Sequence, residues 1–403
     1  MKHSISFIVG SGILLSGLAG CSKATVTDSD IYVDPVPTPS VQVSPVDSIP
    51  SLNLGQSDDT GFLDKEVANM RLIPLETTDD CLIGRISDIF IVGDSIVVVD
   101  RDNAKQIYLF NIDGKFLRKI GRYGTGPEEY FSLSCVSATP EHISVLDNPL
   151  AKYMTYDYSG NMISSECLEQ TLPSHVFALS NSSFISTCAS YHESSPFAVE
   201  WIESDSVVAT AFPYKIKRGE IAPSTFQLSD NEIGLYIPTV DTIYSISDRQ
   251  IEPKYKLGLI SDEEADEWRR LSARMDVIEK IKYKMSRGAM PADFISVYPL
   301  TDYLVVTHST NDARYIGIVN RSTLQSRNYL RNTIEPYHYF LPPYIMSATG
   351  NTLCGYIADD YFLESPDESR ERIEKHFSDR DQEILNHYDY KNNNPIVWLM
   401  ELK

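Results

Sequence analysis

From Val67 onward, short apolar runs in which every second position reads inward alternate with clusters of Gly, Asp, Asn and Ser. That period of two predicts β-strands separated by turns. Residues 86–90, 95–99, 106–110 and 115–120 read as four strands, with Gly93-Asp94 and Asp113-Gly114 as hairpin turns. The next stretch repeats the first. Ile96-Val97-Val98-Val99-Asp100 recurs 47 residues later as Ile143-Ser144-Val145-Leu146-Asp147, and Phe110-Asn111-Ile112-Asp113-Gly114 recurs 46 later as Tyr156-Asp157-Tyr158-Ser159-Gly160.

A four-stranded unit returning at this interval cannot bury both of its faces alone. Radial packing of such units gives a β-propeller. Weaker copies follow over 176–211, 226–258 and 294–330, and a sixth over 344–402 is one strand short. Residues 67–75 can supply that strand, closing the ring and removing the open edges of a linear array. Two stretches interrupt the pattern. Ser261-Asp262-Glu263-Glu264 is a capping box, and Trp268, Leu271, Met275, Ile278 and Ile281 form the apolar stripe of a helix running to about Arg287. Ser365-Pro366 opens a second helix, and Ser378 caps a third reaching Tyr388. Without 262–288 and 360–393, the span 67–403 holds 276 residues, 46 for each of six blades, which matches the repeat offset. The expected fold is an all-β, six-bladed β-propeller, closed by its N- and C-terminal strands and carrying helical insertions on one face.

The beginning of the chain has a different character. Lys2 precedes an apolar stretch over 7–19 that ends in Leu18-Ala19-Gly20-Cys21. That run is shorter than the roughly 20 residues of a membrane-spanning helix and reads as a cleaved lipoprotein signal, leaving Cys21 as the lipidated first residue. An ordinary signal with an incidental cysteine is the competing reading. Pro35, Pro37, Pro39, Pro45 and Pro50 then mark an extended tether. The expected organisation is signal 1–20, lipidated tether 21–60 and propeller 61–403.

Charge narrows the partners. The 403 residues carry 35 Lys plus Arg against 56 Asp plus Glu, a net −21 that argues against nucleic acid, whose binding rests on basic side chains. Cys81, Cys135, Cys167, Cys188 and Cys354 fit no zinc spacing and read as buried apolar residues, with a Cys167–Cys188 bridge left open.

Arg71-Leu72-Ile73-Pro74-Leu75-Glu76-Thr77-Thr78, the run Phe116-Leu117-Arg118-Lys119-Ile120-Gly121-Arg122-Tyr123-Gly124-Thr125-Gly126-Pro127-Glu128-Glu129-Tyr130, Asp241-Thr242-Ile243-Tyr244 and Asn394-Pro395-Ile396-Val397 carry a family resemblance. The chain resembles the six-bladed β-propeller lipoproteins of gut-type Gram-negative anaerobes, relatives of the NHL-repeat propellers. The resemblance implies the fold and an envelope location and does not imply an activity. Where that family has a second glycine in its Gly-Pro-Gly-Glu-Tyr turn, this chain has Glu128, which is expected to strain or shift the turn.

No phosphate loop, HExxH or GxSxG motif is present. Asp100-Arg101-Asp102-Asn103 begins like a calcium loop but lacks the later ligands, so no cofactor is predicted and calcium alone is kept under consideration. In a propeller, turns between second and third strands share a face with connections between blades. Both helical insertions belong there, so the candidate ligand-binding residues are Arg101, Asp102, Arg122, Tyr123, His308, Asp359 and Asp360. The expected role is non-enzymatic binding or scaffolding of a glycan, peptide or envelope protein by an outer-membrane lipoprotein facing the periplasm or the cell surface. The alternatives are a metal-dependent hydrolase or lyase with an axial site, and a partner of an outer-membrane uptake complex.

Overall fold

A computed structural model describes residues 31–403 except 56–60, 169–172, 181–182, 205, 218–222, 230–231, 238–239, 273, 276–278, 280–281, 284–294, 310–313, 331–344, 358–370 and 372–373. Six four-stranded antiparallel sheets form the blades of a propeller. Blade 1 holds β2 (Asp88–Val92), β3 (Ser95–Asp100), β4 (Gln106–Asn111) and β5 (Phe116–Ile120). Blade 2 holds β6 (Cys135–Ala138), β7 (Ile143–Asp147), β8 (Lys152–Tyr156) and β9 (Met162–Cys167). Blade 3 is β10 (His175–Ala178), β11 (Ser183–Thr187), β12 (Phe197–Glu203) and β13 (Ser206–Pro213). Blade 4 is β14 (Ser224–Ser229), β15 (Glu232–Tyr236), β16 (Thr242–Ser247) and β17 (Gln250–Lys256). Blade 5 is β18 (Ser296–Pro299), β19 (Tyr303–Ser309), β20 (Arg314–Asn320) and β21 (Ser326–Leu330). In blade 6, β22 (Ile345–Thr349), β23 (Thr352–Ile357) and β24 (Ile396–Leu402) are completed on the outside by β1 (Val67–Pro74).

The closure is the one expected. β1 runs antiparallel to β24 with Leu72 opposite Trp398, whose indole is fully buried. Burial follows position in the blade. Central strands are covered by neighbours on both faces, so Ile96, Val97, Val98 and Val99 are all inaccessible. The outer strand β9 alternates half-buried and exposed residues. Six apolar clusters fill the six interblade seams: Val97, Ile107, Val145 and Met154 join blades 1 and 2, for example, while Leu72, Trp398, Val305 and Ile316 join blades 6 and 5. Burying each seam on folding is the main source of stability, at about 25 cal/mol per Å² of apolar surface.

Helix α1 (Phe62–Glu66) leads into β1, α2 (Asp262–Ser272) opens the insertion between blades 4 and 5, and α3 (Asp379–His387) lies in the blade 6 insertion. Both expected caps are present. The Glu264 N–H donates to Ser261 Oγ at 3.2 Å while Ser261 N–H donates back to Glu264 Oε2 at 2.9 Å, and Ser378 Oγ accepts from Asp381 N–H at 3.2 Å. The remainder of the first expected helix falls largely outside the described residues, and the Ser365-Pro366 helix start falls wholly outside them.

The stretch read as a free tether behaves differently over 31–55. It is a strap along the outer edges of blades 3, 4 and 5. Val33 N–H donates to Lys215 O at 3.1 Å and Lys217 N–H to Ile31 O at 2.7 Å. The strap descends beside β13, where Val41 N–H meets Thr210 O at 3.0 Å, and then rises parallel to β17, with Ser44 on Ile251 and Leu52 on Lys256. Ile31, Leu52 and Leu54 are buried, and Asn328 Nδ2 of β21 donates to Leu54 O and Gly55 O. Gly317 makes the notch: a Cβ there would stand 2.6 Å from Leu54 Cδ2. The physical reason is edge pairing, since outer strands present unpaired backbone groups that an extended chain can satisfy.

Candidate functional site

Innermost strands begin at the face from which both helical insertions leave. The blade 6 insertion does not stay on that face as expected but covers the outer edge of β1, where Met70 N–H donates to His376 O at 3.2 Å and Phe377 and Leu385 pack with Met70. The first residues of the innermost strands surround the mouth of the central channel. In blades 1, 2 and 3 these are Asp88, Cys135 and His175; in blades 4 and 5 they are Ser224 and Ser296. Arg101 follows β3 immediately. Its backbone N–H donates to Ser87 Oγ at 3.1 Å, and its Nη2 lies 2.8 Å from Asp88 Oδ2. The same guanidinium acts electrostatically on Cys135 and His175, so one charge from blade 1 is felt across three blades. Its Nε is buried with no partner among the described residues.

The titrations follow from this crowding. Burial pushes the Asp88 carboxyl up, with Arg101 opposing. Burial pushes the His175 imidazole down, and Arg101 adds to that. His175 is nonetheless solvent-accessible and, being neutral near pH 7, both donates and accepts hydrogen bonds. The mouth therefore pairs one partly compensated cation with polar groups, an arrangement suited to recognising hydroxyl, amide or carboxylate groups.

Toward the rim, the blade 1 to blade 2 connection displays an aromatic pair. Tyr123 and Phe131 are exposed, with ring centroids 5.7 Å apart and planes 28° from parallel. Lys105 Nζ sits 4.6 Å from the Tyr123 centroid and 5.6 Å from that of Phe131. The loop beneath is braced by its own contacts. Gly121 at φ 63° turns the chain out of β5, where a Cβ would lie 2.7 Å from the Tyr130 ring. Glu129 accepts from Gly126 N–H at 2.9 Å and pairs with Arg122 at 2.5 Å, and these contacts hold its carboxyl below the usual range, the Gly126 bond most of all. Glu128 does not adopt a positive φ, so the expected strain at that position is absent.

Buried side chains at recurrent positions fix this face. Asp100 accepts backbone N–H groups from Gly84, Arg85 and Asn103 at 2.7, 3.0 and 2.9 Å. Asp147 does the same for Phe131 and Leu150, and Asp241 for Gly258 and Leu259. Asn394 accepts from Ile83 N–H and donates to Glu76 O and Cys81 O. Both oxygens of Asp100 are thus taken by backbone donors, and Asp102 pairs with Arg85 at 3.3 Å, so the segment weighed as a calcium loop is built as a backbone clasp. Among the described residues no group of three or more His, Cys, Asp and Glu side chains could hold a metal ion.

Of the residues singled out from sequence, Arg101, Asp102, Arg122 and Tyr123 lie on one face of blade 1 and its exit loop. His308 does not join them. It is 2% exposed, its ring stacks on Tyr315 at 4.9 Å, and burial pushes it down to about 4. Asp359, Asp360 and Cys21 lie outside the described residues. The Cys167–Cys188 bridge left open does not form: both thiols are free, Cys167 exposed and Cys188 buried. Asp88 and His175 were not legible beforehand, because only ring closure brings residues so distant in sequence around one opening, and Phe131 was not because its exposed ring lies in a loop without a periodic signal.

A family model described as a domain of unknown function, DUF4934, matches residues 57–401. The chain belongs to the DUF4934 family. That span takes in all six blades of this DUF4934 member and the last turn of its approach to β1. No curated protein matches the sequence. A solved structure from Bacteroides fragilis, provisionally described as an exported protein, is 18% identical, with TM-score 0.68 over 83% of this chain and 95% of that one. A DUF4221 member from Bacteroides vulgatus is 11% identical, with TM-score 0.51 over 84% and 97%. At such identities these likenesses establish the shared fold of the DUF4934 chain.

Proposed function

We propose that this DUF4934 propeller is an extracytoplasmic binding or scaffolding protein, held to the outer membrane by lipid on Cys21, that grips a glycan, peptide or envelope protein with its helix-decorated face. One observation carries the reading: Arg101, Asp88 and His175 converge from two blades on the channel mouth, and the exposed Tyr123–Phe131 pair stands further out on the same face, on loops clasped by Asp100 and Asp147. Aromatic rings and hydrogen-bonding groups on a rigid frame are the ordinary materials of recognition.

The test uses the chain without residues 1–20 and with Cys21→Ser, immobilised and offered a glycan array and solubilised outer-membrane proteins. A triple substitution, Arg101→Gln with Tyr123→Ala and Phe131→Ala, should abolish binding of the ligand that the parent retains while leaving the unfolding midpoint nearly unchanged. Undiminished retention by a folded triple variant would remove the assignment to this face.

A further inference from the structure

We infer that the strap turns the helix-decorated face toward the bilayer, so that the surface proposed for recognition looks down at the lipid surface and not outward from it. The inference rests on the reading of Cys21 as the lipidated residue. A tether free from 21 to 60 would impose no orientation, because its reach would exceed every dimension of the propeller. The strap removes that freedom. Its first described residue, Ile31, is fully buried and accepts from Lys217 N–H at 2.7 Å, and Val33 N–H donates to Lys215 O at 3.1 Å. Residues 214–217 belong to the connection between blades 3 and 4, which lies on the decorated face.

Ten Cα steps separate Cys21 from Ile31. At full extension they span about 35 Å. The two faces are about 20 Å apart, from the seven residues of β24 at roughly 3.3 Å each. To put the opposite face against the lipid, the chain would have to spend about 20 Å of that length, over half, running down the rim, which leaves it less conformational freedom. With the decorated face down, the same ten steps keep ample slack. The strap holds this arrangement because it is fastened at three blades, by Val41 on Thr210 in blade 3, Leu52 on Lys256 in blade 4, and Leu54 and Gly55 under Asn328 in blade 5.

The experiment uses the full lipidated chain with Cys167→Ser, which removes the exposed thiol among the described residues, and adds either Ala104→Cys on the decorated face or Ser159→Cys in a hairpin turn of the opposite one. Each protein carries a fluorescent donor on the new thiol and is reconstituted in phosphatidylethanolamine–phosphatidylglycerol vesicles that contain an acceptor-labelled lipid. Energy transfer should be several-fold stronger from position 104 than from 159. A long Gly/Ser insert between Thr27 and Asp28 should bring the two values together. Equal or reversed transfer in vesicle-bound parent protein overturns the orientation and leaves the anchor standing. A Cys21 chain that does not float with vesicles overturns the anchor and the orientation together.

Discussion

Glu66 and Arg327 join the entrance of the closing strand to blade 5 by a two-pronged ion pair, with Nε 2.5 Å from Oε1 and Nη2 2.6 Å from Oε2. Tyr329 donates its hydroxyl to the same Oε1. Glu66 is 5% exposed, while the arginine side chain is half-exposed.

Glu66→Ala leaves the Tyr329 hydroxyl and the inner edge of the guanidinium without their acceptor. The expected cost is about 2 kcal/mol, toward the lower end for a broken buried pair because solvent screens the exposed side of Arg327. Chemical denaturation measures it, and Arg327→Ala should cost at least as much, because it strands the buried Glu66 carboxylate. A near-zero cost for Arg327→Ala would show that the pair does not secure the closure.

Glu200 supplies a pH dependence. It is 2% exposed, Ser195 Oγ donates to its Oε1 at 2.8 Å, and its Oε2 has no partner among the described residues. Burial holds this carboxyl above its ordinary range, with Ser195 opposing. A raised carboxyl makes its full contribution to stability below its unfolded value of about 4.3 and loses it as pH climbs through the folded value. Glu200→Gln should therefore match the parent near pH 4 and surpass it increasingly toward pH 8 in thermal midpoint. A gap that stays constant or narrows over that range would contradict the assignment.

Gly317 and Leu54 should be coupled. Gly317→Ala forces the buried Leu54 methyl aside and is expected to cost about 1–2 kcal/mol, and Leu54→Ala about 2–4 kcal/mol. The double variant should cost less than the two separately, because the shortened side chain makes room for the new methyl. Four denaturation midpoints complete the cycle; simple additivity would mean that the strap does not press on β20.

Asp100→Ala removes the acceptor of three backbone N–H groups at a fully buried position. About 2–4 kcal/mol should be lost, and amide exchange should quicken at Gly84, Arg85 and Asn103 before the blade 1 strands are affected. Uniform quickening across β2 to β5 would instead show that Asp100 supports the whole blade.

Strand placement was readable because each blade repeats one alternation at a steady interval, and the buried middle strands add runs such as Ile96 to Val99. Closure by β1 was readable from a count: the sixth unit lacked a strand and the chain start had one to spare. The strap was misjudged because its prolines and serines are those of a free linker. Its signal was the spacing of Ile31 with Val33 and of Leu52 with Leu54, two period-two pairs too short to outweigh the composition around them. The face from which the insertions leave was legible from topology and Arg101 from its place after β3, whereas the turn of the blade 6 insertion along the unpaired edge of β1 was not. His308 ends an apolar run in the same way Asp100 and Asp147 do, yet its ring turns into the seam beside Tyr315, a side-chain choice that strand position does not determine.

The strap also governs the sequence of events in folding. Residues 31–55 are synthesised ahead of everything they touch, yet Ile31 needs Lys217, Leu52 needs Lys256 and Gly55 needs Asn328. The earliest part of the chain to arrive must therefore wait for most of the remainder before it can settle, a long-range dependence of the kind that slows assembly. A molecule halted midway through synthesis would hold finished blades and a loose leading end, with apolar side chains exposed for as long as the delay lasts.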